Sequence, residues 1–105
     1  MDKKAVLEIL SAFRKAIESR GIRTDKLILF GSYATGQYRE DSDIDVVVIS
    51  RDFNNKNYWD RIDILSGAIY DIYEPIEATA FTPEEWQSRE SLIVDFAKNG
   101  VVVYG

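Results

Sequence analysis

Apolar side chains recur through residues 3–20 at Val6, Ile9, Leu10, Phe13 and Ile17, the i, i+3, i+4 spacing of one helix face. This pattern predicts an amphipathic helix packed on a core, and Gly21 suits the position just past its end. Ile22 to Lys26 is a polar connection, and Leu27 to Phe30 is a short continuous apolar run, the mark of a strand covered on both faces. A second strand is predicted from Asp43 to Ile49, then a polar loop from Ser50 to Asn57. Tyr58, Ile62, Leu65 and Ile69 return to helical spacing and predict a helix over about residues 56–70, with Asp60 and Asp63 on its solvated side. Pro75 cannot donate a ladder hydrogen bond, so it fits a strand start or an edge, and Ile76 to Phe81 follows as a strand. Thr82-Pro83-Glu84-Glu85 is a helix start, with Thr82 as cap, Pro83 at the first helical position and Glu85 completing a capping box. Trp86, Ile93, Phe96 and Ala97 give this last helix its apolar side. Gly100 ends it, and Val101 to Tyr104 reads as a final strand. Helices alternating with short strands make the class α/β.

A length of 105 residues predicts one domain over residues 1–105, and the 46% hydrophobic fraction supports a single core. No apolar run approaches the roughly 20 residues that cross a bilayer, and the N-terminus has no signal-peptide pattern, so a cytoplasmic, non-membrane protein is expected. Cysteine and histidine are both absent, which excludes disulfides, thiolate metal sites, the usual catalytic triads and histidine-built zinc sites. Any metal must be held by oxygen, which favours magnesium or manganese. The formal net charge of −5, from 18 acids and 13 bases, argues against broad nucleic-acid binding. It leaves room for a nucleotide, because a bound metal changes the local charge.

The chemistry concentrates between Gly31 and Ile49, GSYATGQYREDSDIDVVVI. Asp43 and Asp45 stand two apart at a strand opening, so their side chains point the same way and their Cα atoms lie roughly 6.5–7 Å apart. Two like charges so close repel, and a divalent metal is the simplest relief. Gly31 permits close backbone approach to a ligand, and Ser32 adds a hydroxyl and an N–H. The competing reading is a solvated strand edge. Against it, Asp is depleted in strands and these two precede a run suited to burial. Asp41 to Asp45 also resembles an EF-hand opening, but Val46 and Asp52 occupy the positions that need Gly and Glu. Gly31 to Gly36 has P-loop glycine spacing, but Gln37 and Tyr38 stand where the lysine must follow. Ser42 reads first as a turn cap, while Tyr33 and Tyr38 fit either a nucleobase or ordinary packing.

Gly31-Ser32, Gly36 and Ser42-Asp43-Ile44-Asp45 resemble the signature of the DNA polymerase beta-type nucleotidyltransferase superfamily, and the short chain resembles its minimal, antitoxin-like branch. The motif covers about a fifth of the chain. The resemblance implies a small mixed β-sheet with helices mainly on one face. It also implies a third carboxylate on a neighbouring strand, for which Glu77 is the candidate, and nucleotide contacts at Gly31, Ser32, Gly36 and Ser42. The implied reaction moves a nucleoside monophosphate from a nucleoside triphosphate, ATP by preference, to an acceptor hydroxyl such as one on a partner toxin. Two magnesium ions, or manganese in their place, would be held by Asp43, Asp45 and Glu77, with Glu77 or Asp45 taking the acceptor's proton. Many small relatives carry arginine where this chain has Thr35, and Arg39 is the candidate substitute. The implied partner is a small all-helical, toxin-like protein, and a homo-oligomer stays open. The alternative reading is an antitoxin-type module that neutralises such a partner by contact alone. A template-directed polymerase fits poorly with so short and acidic a chain.

Overall fold

The computed structural model describes residues 1–88 and 92–105. Helix α1 (Lys3–Glu18) is followed by β1 (Lys26–Phe30), the short α2 (Ser32–Thr35), β2 (Ile44–Ile49), a 3-10 turn (Arg51–Phe53), α3 (Tyr58–Ile72), β3 (Ile76–Phe81), α4 (Pro83–Ser88), α5 (Leu92–Ala97) and β4 (Val101–Tyr104). The four strands lie in the order β3-β2-β1-β4. β1 pairs antiparallel with β2 and β4, and β2 pairs parallel with β3. The sheet is therefore mixed, as expected.

Alternation along the strands sorts the core into two layers. Leu27, Leu29, Ile44, Val46 and Val48 turn to one face, where Val6, Leu10, Phe13 and Ile17 of α1 and Leu65 and Ala68 of α3 cover them. Ile28, Val47, Ile49 and Phe81 turn to the other face and meet Ala97, Trp86 and Ile93 of the two short helices. Both long helices thus share one face, and the short segments close part of the second. Each fully buried aliphatic or aromatic side chain contributes about 1.5–3 kcal/mol. Phe13, with no exposed surface, is a position where truncation to alanine costs about 3–5 kcal/mol.

Local signals fix the helix ends. The Asp2 carboxylate accepts from the Ala5 N–H at 2.8 Å and opens α1. The capping box at α4 forms as the sequence predicts: Thr82 N–H donates to Glu85 Oε1 at 2.8 Å, and Glu85 N–H donates to Thr82 Oγ1 at 3.1 Å.

Several expectations are corrected. β2 begins at Ile44, so Asp43 stands one residue before the ladder and is exposed. The loop predicted over residues 50–57 contains the 3-10 turn, because the Ser50 hydroxyl accepts from Asp52 N–H at 3.0 Å and so folds Phe53 into the core. Tyr58, assigned to the buried stripe of α3, is 68% exposed, since it opens the helix beyond the layer that Leu65 and Ala68 bury. One last helix is predicted from Pro83 onward. Two segments are described, and residues 89–91 between them and the Phe96 side chain lie outside the described residues.

Candidate functional site

The second sheet face is apolar along Ile49 and Val47, but the next same-face position in β2 is Asp45. In the parallel register Asp45 sits opposite Glu77 of β3, and on its other side it pairs with Phe30 of β1. Asp45 and Glu77 therefore stand abreast on adjacent strands, within side-chain hydrogen-bond reach of each other, with Phe30 on the other side of Asp45. Asp45 is partly buried, while Glu77 and Asp43 are exposed. Burial first, then the charges of Glu77 and Asp43, push the Asp45 carboxyl up to about 6.

Gly31 turns the chain directly over this carboxylate. Its φ of 75° and ψ of −155° are open only to glycine, and an added Cβ would overlap Asp45, with the carboxyl carbon 3.1 Å away. Ser32 then starts α2, where the Gly31 carbonyl accepts from both Ala34 N–H at 3.1 Å and Thr35 N–H at 3.2 Å. Gly36 closes the helix in the left-handed conformation at φ 81°. Tyr33 pins α2 to the fold. It is 5% exposed, packs in the core shared with α1, and stacks on Tyr38 with centroids 4.5 Å apart. For Tyr33 the structure thus supports packing.

The Ser42 hydroxyl accepts from Arg39 N–H at 2.7 Å, and Ser42 N–H donates to Arg39 O at 3.1 Å. This turn delivers the chain to Asp43. Ser42 and Gly36 thus shape the path between Ser32 and the acids. Thr35 directs its hydroxyl to Ser32 O at 3.3 Å. Arg39 is exposed. The ion pairs among the described residues, Arg14–Glu18, Arg20–Asp71, Arg51–Asp25 and Arg61–Glu85, all lie elsewhere, so the three acids share no arginine or lysine partner there.

Chemically, an oxygen-only set of acids suits a hard divalent cation, and Asp45 is raised by its burial first and by its two acidic neighbours after that. Among the described residues no three acids stand at metal-holding spacing. The site is an open ledge at the end of the sheet. A concavity of about 570 Å³ lies further along β3's outer edge and takes in Ala78 to Phe81. Sequence reasoning missed it, and its one signal was Pro75, which marked β3 as an edge.

A model of the nucleotidyltransferase domain family matches residues 10–102. The chain belongs to the nucleotidyltransferase domain family. Two putative protein adenylyltransferases of Methanocaldococcus jannaschii resemble this nucleotidyltransferase domain over 48 residues each. One is 42% identical, covering 45% of this chain and 48% of the relative, and the other is 46% identical, covering 46% and 45%. The chain spans about half the length of these curated relatives. The fold is also that of a putative nucleotidyltransferase from Sulfolobus solfataricus, with a TM-score of 0.69 at 21% identity over 93% of this chain and 78% of the other. A toxin–antitoxin structure with AMP-PNP gives a TM-score of 0.66 at 17% identity over 90% of this chain and 72% of its own. No described helix is long and apolar enough to cross a membrane.

Proposed function

We propose that this nucleotidyltransferase domain transfers adenosine monophosphate from ATP to a hydroxyl of a small helical protein partner and releases pyrophosphate. The observation that carries the reading is the Asp45–Glu77 row with Gly31 folded against it. It joins a surface open to backbone approach to a set of acids without a counter-charge. The similarity to protein adenylyltransferases supports ATP as donor and a protein as acceptor.

Asp43, Asp45 and Glu77 are the residues that would hold two magnesium ions, or manganese in their place. When bound, these ions supply positive charge to the attacking and leaving oxygens. The Gly31–Ser32 backbone and the Ser32 hydroxyl hold the terminal phosphates. The acceptor oxygen attacks the α-phosphorus, the bond from that phosphorus to the pyrophosphate oxygen breaks, and the acceptor proton passes to Glu77 or Asp45.

A second reading, a module that silences its partner by contact alone, is favoured by one observation: Tyr58, Trp59, Tyr70 and Tyr73 of α3 and its C-cap are 68, 69, 81 and 89% exposed. The test incubates the protein with lysate, magnesium and ATP labelled at either the α- or the γ-phosphate. Label entering a protein band from α-labelled ATP alone supports transfer. Absence of label from every protein overturns it, and a complex that survives loss of Asp43 and Asp45 then favours the contact module.

A further inference from the structure

β3 is the last strand of the sheet, and its outer side bears main-chain groups that no described strand pairs with. Pro75 O accepts from Ile44 N–H at 2.8 Å and Phe81 O accepts from Ser50 N–H at 3.0 Å, so positions 75 and 81 turn their backbone groups toward β2. Strand alternation then turns 77 and 79 the same way and leaves Ala78 and Ala80 with N–H and C=O directed outward. Their side chains are single methyl groups that do not shield the edge. The cavity of about 570 Å³ lies along this edge, and Tyr58, Leu65 and Ile93 flank it. Pro75 and Glu77 blunt the start of this edge, whereas Ala78, Thr79 and Ala80 bring neither a charge nor a proline to its middle.

The register gives the edge a chemical meaning. Glu77 and Asp45 already form one row on one face. A further strand on β3 lies about 4.8 Å out, so its residue opposite Glu77 joins that row and its side chain falls beside the acids. Same-face residues two and four positions along lie beside Thr79 and Phe81, over the apolar side of the cavity. In the metal-free protein Asp43, Asp45 and Glu77 have no cationic partner among the described residues, so a basic residue flanking the hydroxyl is drawn to this end of the edge before the ions and triphosphate assemble.

We propose that β3's outer edge receives an extended segment of the acceptor protein as a fifth strand, and that the residue opposite Glu77 presents the acceptor hydroxyl. The segment carries a basic residue, a hydroxyl-bearing residue and then alternating apolar residues. This rests on the nucleotidyl-transfer reading, because the hydroxyl is placed for that chemistry.

The probe is the synthetic peptide acetyl-Lys-Arg-Tyr-Thr-Val-Thr-Val-amide, with its reversed-order counterpart to cover both strand directions. Two readouts are taken: amide shifts of Ala78 and Ala80 by NMR, and label transfer from α-labelled ATP. One of the two peptides is expected to move both amides and accept label. Ala78→Pro removes an outward N–H without touching the β2 ladder, so it should lower transfer to the peptide about tenfold through KM and leave triphosphate affinity unaltered. A peptide N-methylated on its β3-facing amides should fail in the same way against the unmodified protein, which decides the matter if the proline variant unfolds. Full transfer by the proline variant and to the N-methylated peptide overturns the proposal. So do unmoved Ala78 and Ala80 amides with both peptides, and in that case label on a small hydroxyl such as glycerol shows that the transfer reading survives alone. Amides that move without label on any acceptor uphold the docking edge and refute the transfer chemistry instead.

Discussion

Replacing Asp45 by asparagine should make the metal-free protein more stable at neutral pH. Burial, Glu77 and Asp43 raise the Asp45 carboxyl from 3.8 to about 6. A folded-state value above the unfolded one means that the folded protein holds the extra proton. The contribution is therefore complete below about pH 3.8 and is lost as pH rises through the window to about 6. Taken in full, the shift corresponds to about 3 kcal/mol. Asp45 is only partly buried and solvent screens its neighbours, so the realised cost above the window is about 1–2 kcal/mol. The asparagine amide keeps the shape of the carboxylate and removes its charge. The variant should match wild type near pH 4 and exceed it by about 1–2 kcal/mol near pH 7.5, which is several degrees in Tm for a domain of this size. The assay is thermal and urea unfolding of both proteins in EDTA across that range. The difference between them cancels the opposing Asp25 and Glu85 carboxyls. Burial raises both, but bonds from Arg51 for Asp25, and from Arg61 and Thr82 for Glu85, outweigh it and hold them low. A variant equally or less stable at neutral pH refutes the reasoning.

Gly31→Val should lose about 1–3 kcal/mol, because its φ of 75° excludes a branched side chain and its Cβ would displace the Asp45 carboxylate. Triphosphate affinity should fall with it, and unchanged affinity by calorimetry removes this turn from the site. Magnesium should bind weakly alone and more tightly with a non-hydrolysable triphosphate, whose oxygens complete the shell; equal affinity in the two titrations argues against a shared site. Glu85→Ala removes both the 2.6 Å pair with Arg61 and the cap on Thr82 N–H, costing about 1–3 kcal/mol in urea unfolding without lowering transfer per folded molecule. A specific loss of transfer would tie this network to the site.

The elements legible in the sequence were those with strong periodicity or an explicit cap. The stripe of Val6, Leu10, Phe13 and Ile17 is fully buried, and the Thr82–Glu85 box closes as written. The pairing of Asp45 with Glu77 was also within reach, because a strand opening with an acid and another with an acid at its second position can share a row. What stayed hidden depends on contacts between distant segments. Phe53 is buried through a turn that Ser50 organises, and Tyr58 falls outside the core although its spacing fits the stripe. The Asp45 carboxyl is raised by burial first, then by Glu77 and Asp43, and of these only the closeness of Asp43 is contained in the linear spacing. The outward set of Ala78 and Ala80 follows only once β3 is known to be an edge.

The central claim is that Asp43 and Asp45 carry nucleotidyl transfer. The most direct measurement is transfer of label from α-labelled ATP in the presence of magnesium, comparing wild type with Asp43→Asn and Asp45→Asn at equal folded concentration. Under the proposed function, activity should fall by orders of magnitude in each variant while thermal unfolding shows it folded, because these carboxylates would position the charge that stabilises the transition state. Full transfer activity in both variants would contradict the account.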